Sequence, residues 1–148
     1  MTLWRLYRKA HGPGLDGLGG HHAGGRWHSV GRAVVYFGAG PAIVVLERLA
    51  HLDPAQLPTD LVLGRFEIDT IVRDAWETGS IPAHWTGRRD LTRALGDAWL
   101  KARRSCLLRV PSAVVPEEQN LIFNPQHQDA HRMRLVRARP FEFDVRLI

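Results

Sequence analysis

Residues 32–41, "RAVVYFGAGP", constrain this chain more than any other stretch: a β-branched and aromatic run meets glycine, then a proline that opens a second apolar run. Val34, Val35, Tyr36 and Phe37 suit a buried, pleated strand better than a helix. Pro41 stands where a first helical residue is expected, because the N–H it lacks would have no intrahelical partner there. The pattern predicts a strand over 32–37 and a helix over 40–52, "GPAIVVLERLAHL". Apolar side chains cover most of that helix's circumference, which predicts a deep position in the fold. Glu47 is its only acid.

Other segments supply the sheet that such a strand and helix need. Extended pieces are predicted at 3–8 ("LWRLYR"), 61–69 ("LVLGRFEID"), 106–116 ("CLLRVPSAVVP", interrupted at Pro111) and 120–125 ("NLIFNP"). The closing "RPFEFDVRLI" (139–148) alternates, with Phe141, Phe143, Val145 and Leu147 on one face. "TIVRDAW" (70–76) reads as a short helical turn before a loop over 77–89. Asp90 reads as the cap of the helix "LTRALGDAWLKAR", whose stripe is Leu91, Leu95, Ala98, Trp99 and Ala102. Residues 11–25 hold seven glycines without periodicity and read as a mobile loop. Strands dominate, with two or three helices between them, so the class is α+β and not a doubly wound sheet. No linker or repeat divides the 148 residues, and one domain over 1–148 is expected.

Composition narrows the function classes. No apolar run approaches the ~20 residues of a membrane helix. The N-terminal residues show no secretory pattern, and Cys106, the single cysteine, cannot close an internal disulfide. Both point to a reducing cytoplasm. The net charge of +5 suits an anionic ligand, an acidic protein or nucleic acid. All but Lys9 and Lys101 of the twenty basic residues are arginine, the residue that meets phosphate bidentately. A GC-biased genome would produce the same preference.

Three patterns carry less than they suggest. "GPGLDG" (12–17) matches a dinucleotide fingerprint, but the following "LGGHHAGG" is not expected to start the helix that the mechanism needs. His21, His22 and His28 lack the spacing and the companions of a metal site and read as solvated loop residues, so no metal is expected. "HRMRLVRARP" (131–140) has no aromatic interleaving and reads as a solvated basic edge. Cys106, in an apolar stretch, reads as a buried inert thiol.

Four residues remain: Arg26, Tyr36, Glu47 and Ser112. Arg26 leaves a glycine pair and enters the strand region, where a charge needs a partner. Tyr36 could equally be core, Glu47 an outward charge paired near Arg48, and Ser112 the satisfier of a turn.

"GGRWHSVGRAVVYFGAGPAIVVLERLAHL" and "RVPSAVVPEEQNLIFNP", in that order and closed by "RPFEFDVRLI", resemble the RES domain family from Leu3 to Leu147. The resemblance implies a fold similar to ADP-ribosyltransferases, with small mixed or antiparallel sheets and a few helices. It implies a toxin of a bacterial toxin–antitoxin pair that takes NAD as substrate, degrading it or transferring ADP-ribose to a protein. It also implies an Xre-type helix-turn-helix antitoxin as partner, with DNA reached only through that antitoxin. The family's Arg, Tyr, Glu and Ser fall on Arg26, Tyr36, Glu47 and Ser112. Two positions depart from the pattern: His28 stands where Asn is commoner, and Gln128 where Pro is usual. The glycine- and histidine-rich loop before Arg26 is also untypical.

The chemistry of these residue types agrees. Arg26 can fork onto a pyrophosphate, and Gly24 and Gly25 let backbone approach a ligand closely. Tyr36 can stack on nicotinamide. Cleaving nicotinamide from ribose develops oxocarbenium character, which the Glu47 carboxylate would stabilise. Ser112 could hold nicotinamide or ribose. A non-catalytic basic binding module is the competing reading.

Overall fold

The computed structural model describes residues 1–76 and 81–148. Seven strands form one sheet: β1 (Thr2–Arg8), β2 (Val35–Gly38), β3 (Leu61–Glu67), β4 (Val72–Asp74), β5 (Leu107–Pro111), β6 (Gln119–Phe123) and β7 (Arg134–Pro140). Their spatial order is β4-β5-β6-β2-β1-β3-β7. Neighbours run antiparallel except β4 and β5, which are parallel. The helices are α1 (Leu18–His22), α2 (Pro41–His51) and α3 (Arg89–Ala102). The α+β class expected from the sequence is the class observed. The β strands lie in a single mixed sheet where smaller ones were expected.

Strand alternation sorts the core into two sides. Val35, Phe37, Leu107, Leu121 and Phe123 pack with Leu3 and Phe66 on one side. Phe37 sits edge-on to Phe66 and Phe123, at 5.0 and 6.1 Å between ring centres. Tyr36, Leu108, Val110 and Ile122 face the other side, with Trp27, Trp85, Trp99 and Leu100 over them. The helix that delivers Trp99 and Leu100 is α3.

β1 and β2 are joined at a single register pair, Trp4 with Gly38. Beyond it the strands splay. Arg5 spans the gap, its Nη1 donating to the Tyr36 carbonyl at 2.9 Å and its Nε to the Pro13 carbonyl at 3.0 Å. α2 packs across both strands at this junction. The opening between β1, β2 and α2 is where the candidate site lies.

Several segments differ from the sequence reading. The 11–25 stretch is not an open loop: Gly12, Gly14 and Gly17 take positive φ values of 65°, 66° and 73°, and α1 follows at once. The reason given against the dinucleotide fingerprint therefore fails. The fingerprint itself still lacks its setting, because β1 pairs only with antiparallel neighbours and no βαβ unit follows. Residues 72–74 are strand β4, not helix, because they pair with the edge of β5. The 32–37 strand begins at Val35 and ends at Gly38.

α2 buries only Ile43, so its apolar circumference does not sink it into the core. Asp90 does not cap α3: it is the second helical residue, and Arg88 occupies the cap position without a side-chain bond. The buried face of α3 is Thr92, Gly96, Trp99 and Leu100, whereas Ala98 and Ala102 are exposed. A backbone segment, not a side-chain layer, lies against Gly96 and rotates that face. The last strand is β7, ending at Pro140. Beyond it Phe141 and Phe143 fold edge to face over Leu61 and Leu63, and residues 145–147 form a 3₁₀ turn. β7 is exposed along its length at the sheet edge, the solvated basic edge expected of that stretch. The expected loop over 77–89 includes residues 77–80, which lie outside the described residues; a 3₁₀ turn occupies Trp85–Gly87. Among the described residues no helix is long and apolar enough to cross a membrane.

Candidate active site

A cavity of about 390 Å³ opens at the β1–β2 junction. One wall is the 24–27 segment together with Arg89, another is α2 through Val44, Glu47, Arg48 and His51, and the floor is β1, β2 and Asn120 of β6. Arg26, Tyr36, Glu47 and Gly25 all line it, although they come from separate elements. Ser112 does not reach the cavity surface. It is fully buried behind Glu47.

The Glu47 carboxylate is held by its own atoms. Oε1 accepts from the Ser112 hydroxyl and from Asn120 Nδ2, both at 2.7 Å. Ser112 Oγ in turn accepts from the Val114 and Val115 N–H groups at 3.1 Å each. These contacts fix the hydroxyl proton toward Glu47 and fix the carboxylate plane. Oε2 has no hydrogen bond to any described residue. Ser112 is thus oriented toward Glu47.

Arg26 is placed differently. Its Nη1 donates to the Thr86 carbonyl at 2.6 Å, and its guanidinium lies 6.0 Å from the Trp85 ring centre. Burial and the neighbouring Arg89 charge lower its pKa, while Glu47 acts in the opposite direction. Arg5 lies deeper. Burial first, then the charge of Arg48, bring it down to about 10. Arg48 keeps a buried Nε without a hydrogen-bond partner. Among the described lining residues, four arginines meet one carboxylate. Arg5, Arg26 and Arg48 are desolvated there, and an anion relieves like charges of this kind.

Tyr36 presents its ring to the cavity and uses its hydroxyl elsewhere. The Trp27 N–H donates to it at 3.2 Å, and His28 Nδ1 lies 2.7 Å away. His28 Nε2 faces the Gly20 and Ala23 carbonyls at 2.8 and 2.9 Å, so Nε2 carries a proton. In the neutral ring Nδ1 then accepts from the Tyr36 hydroxyl, and both partners are satisfied. Burial raises the Tyr36 pKa above its ordinary value. His28, read as a solvated loop residue, is 2% exposed and ties α1 to Tyr36; His21 and His22 are exposed. A Cβ at Gly25 would come within 2.6 Å of the Tyr36 hydroxyl and 2.8 Å of the His28 ring. The space at Gly25 is taken by those side chains. Cys106 is buried and its pKa is pushed up to about 12 by burial, as suits an inert thiol.

Sequence reasoning missed Arg5, Arg48, Arg89 and Asn120. Arg5 carried a signal, a charge inside an alternating strand. Asn120 carried none, because its value depends on β6 passing beside α2.

A sequence model of the RES domain matches residues 2–144. A Pseudomonas putida protein named Toxin Res is 38% identical over 149 residues, covering 99% of both chains. The Prs ADP-ribosylating toxin of a Sphingobium species is 34% identical over 157 residues, covering 99% of this chain and 96% of its own. A chain in the crystal structure of the M. tuberculosis MbcT-MbcA toxin-antitoxin complex is similar at a TM-score of 0.71 and 19% identity, over 95% of this chain and 83% of that one. That likeness extends to the fold. On the family match and on these levels of identity, the protein belongs to the RES domain family.

Proposed function

We propose that this protein is the toxin of a bacterial toxin–antitoxin pair, acting in the cytoplasm on NAD by cleaving the bond between nicotinamide and ribose. The observation that carries the reading is Glu47. It is a carboxylate fixed by Ser112 and Asn120, with one oxygen left for a ligand, in a cavity whose lining also holds four arginines. The names of the relatives support the toxin assignment, and the neighbouring complex supports an antitoxin partner. An Xre-type helix-turn-helix antitoxin is the partner proposed, with DNA reached through it.

In this mechanism Arg26 and Arg89 meet the pyrophosphate, and the Tyr36 ring lies against nicotinamide. Glu47 Oε2 faces the ribose. The C1′–N bond breaks with its electron pair going to the nicotinamide nitrogen, which leaves as the neutral base. The ribose takes the positive charge, and a fixed carboxylate stabilises it more than it stabilises bound NAD. A nucleophile then bonds to C1′. Water or phosphate gives NAD degradation, whereas a protein side chain gives ADP-ribosylation. The second outcome is favoured by the 34% identical relative named as an ADP-ribosylating toxin.

Purified protein incubated with NAD is expected to release nicotinamide in step with NAD loss. Nicotinamide release only when cell extract is added would assign protein modification. No release under either condition would sink the enzymatic reading.

A further inference from the structure

Six backbone polar groups between Gly25 and Ser29 are hydrogen-bonded to described residues, three of them to side chains of α3. Thr92 Oγ1 donates to the Arg26 carbonyl at 2.6 Å, and Arg93 Nε donates to the Gly25 carbonyl at 2.7 Å. Asp97 accepts from the Ser29 N–H at 2.9 Å and from its hydroxyl at 2.6 Å. Between these contacts Gly96 lies flush on the segment: a Cβ there would overlap the Trp27 carbonyl oxygen. Thr92 has no exposed surface.

Trp27 and His28 are anchored by burial and by their bonds to Tyr36, Gly20 and Ala23, but none of these contacts reaches Arg26. Within it there is one isolated bridge, with the Gly25 N–H donating to the His28 carbonyl at 3.0 Å, and no strand ladder. Gly24 and Gly25 precede Arg26, so the intrinsic backbone freedom at this point is large. Yet an anion anchor needs its guanidinium within about an ångström of the right place to be effective.

We infer that Thr92, Arg93 and Asp97 of α3 are positioning residues, which set the aim of Arg26 by gripping the backbone on either side of it. Thr92 is the central one, because it holds the carbonyl of Arg26 itself. None of the three lines the cavity, so their effect passes through the backbone that carries Arg26. The inference rests on the reading of the cavity as a dinucleotide site.

The test uses ADP-ribose as probe, so that affinity is read without chemistry. Calorimetric affinities would be measured for the parent, Thr92→Val, Thr92→Ser, Arg26→Ala and the Arg26→Ala/Thr92→Val double variant. Thr92→Val keeps the shape and loses the hydroxyl; it is expected to weaken binding about tenfold, and Thr92→Ser to recover it to within about twofold, on the scale of one hydrogen-bonded contact. In the Arg26→Ala background the valine substitution should add less than about twofold, because residues acting through one another are non-additive. An equal loss in both backgrounds would overturn the inference and make Thr92 merely structural. Unchanged affinity in Thr92→Val would also overturn it, while leaving the dinucleotide site intact. Should Thr92→Val not fold, Arg93→Met carries the same comparison against Arg26→Ala. A parent that neither binds ADP-ribose nor releases nicotinamide from NAD overturns the dinucleotide reading and this inference with it; one that releases nicotinamide without binding ADP-ribose keeps the former and overturns the latter.

Discussion

The two walls of the cavity solve the same problem in opposite ways. On the α2 wall, the carboxylate of Glu47 is itself held, by Ser112 and Asn120. On the facing wall the backbone around Arg26 is held by Thr92 and Arg93, while its guanidinium has one carbonyl partner. A carboxylate that must meet a developing charge gains from a fixed plane, since preorganised charge needs no rearrangement during reaction. A guanidinium that must meet a flexible, strongly charged pyrophosphate gains from free donors, provided its root is fixed. Substitutions at the two walls should therefore separate into different measurable quantities.

The largest effect is expected at Glu47→Gln. The amide oxygen can still accept from both Ser112 and Asn120, so melting temperature and NAD affinity should stay near the parent's. The lost charge should lower turnover by ~10²–10³-fold. Single-turnover nicotinamide release measures this; unchanged turnover would remove Glu47 from the chemistry.

Arg26→Ala tests the other wall. The backbone grip does not involve the removed atoms, so the protein should fold with a melting temperature close to the parent's. Losing hydrogen bonds to a charged group costs about 1.5–3 kcal/mol, a KM increase of roughly ten- to a hundredfold with a smaller change in kcat. A large drop in melting temperature without a KM change would make Arg26 structural and erase the contrast between the walls.

Ser112→Ala should mix the two readouts, with the smallest kinetic effect of the three. It leaves the Val114 and Val115 N–H groups without their buried acceptor, at about 1–3 kcal/mol. For a chain of this size each kcal/mol lowers the melting temperature by roughly 2–4 °C. Turnover should fall only about tenfold, because Asn120 still holds Glu47 Oε1. A kinetic loss with no thermal loss would return Ser112 to direct ligand contact, the part its residue type first suggested.

Much of the fold was legible where a pattern is local. β-branched and aromatic runs gave the strands near 3–8, 61–69 and 120–125, and Pro41 marked the start of α2. Errors fell where a neighbour decided. Residues 72–74 became strand because β5 lay beside them, and α3 turned its Thr92–Gly96 face inward because the Trp27 backbone needed a flat surface. His28 looked like a loop residue until α1 and Tyr36 closed around it.

Residue type and order alone were enough for the α+β class and the net positive charge, because charge, ring and strand preference need no partner. They also singled out Arg26, Tyr36 and Glu47, which the fold brings to one cavity. Only the tertiary structure decided that Ser112 serves Glu47, that Arg5, Arg48 and Arg89 share its cavity, and that α3 grips Arg26. Hydrogen bonds between residues 65 or more positions apart have no local signature. They exist only once the splay of β1 from β2 has opened the cavity and the helices have closed its walls.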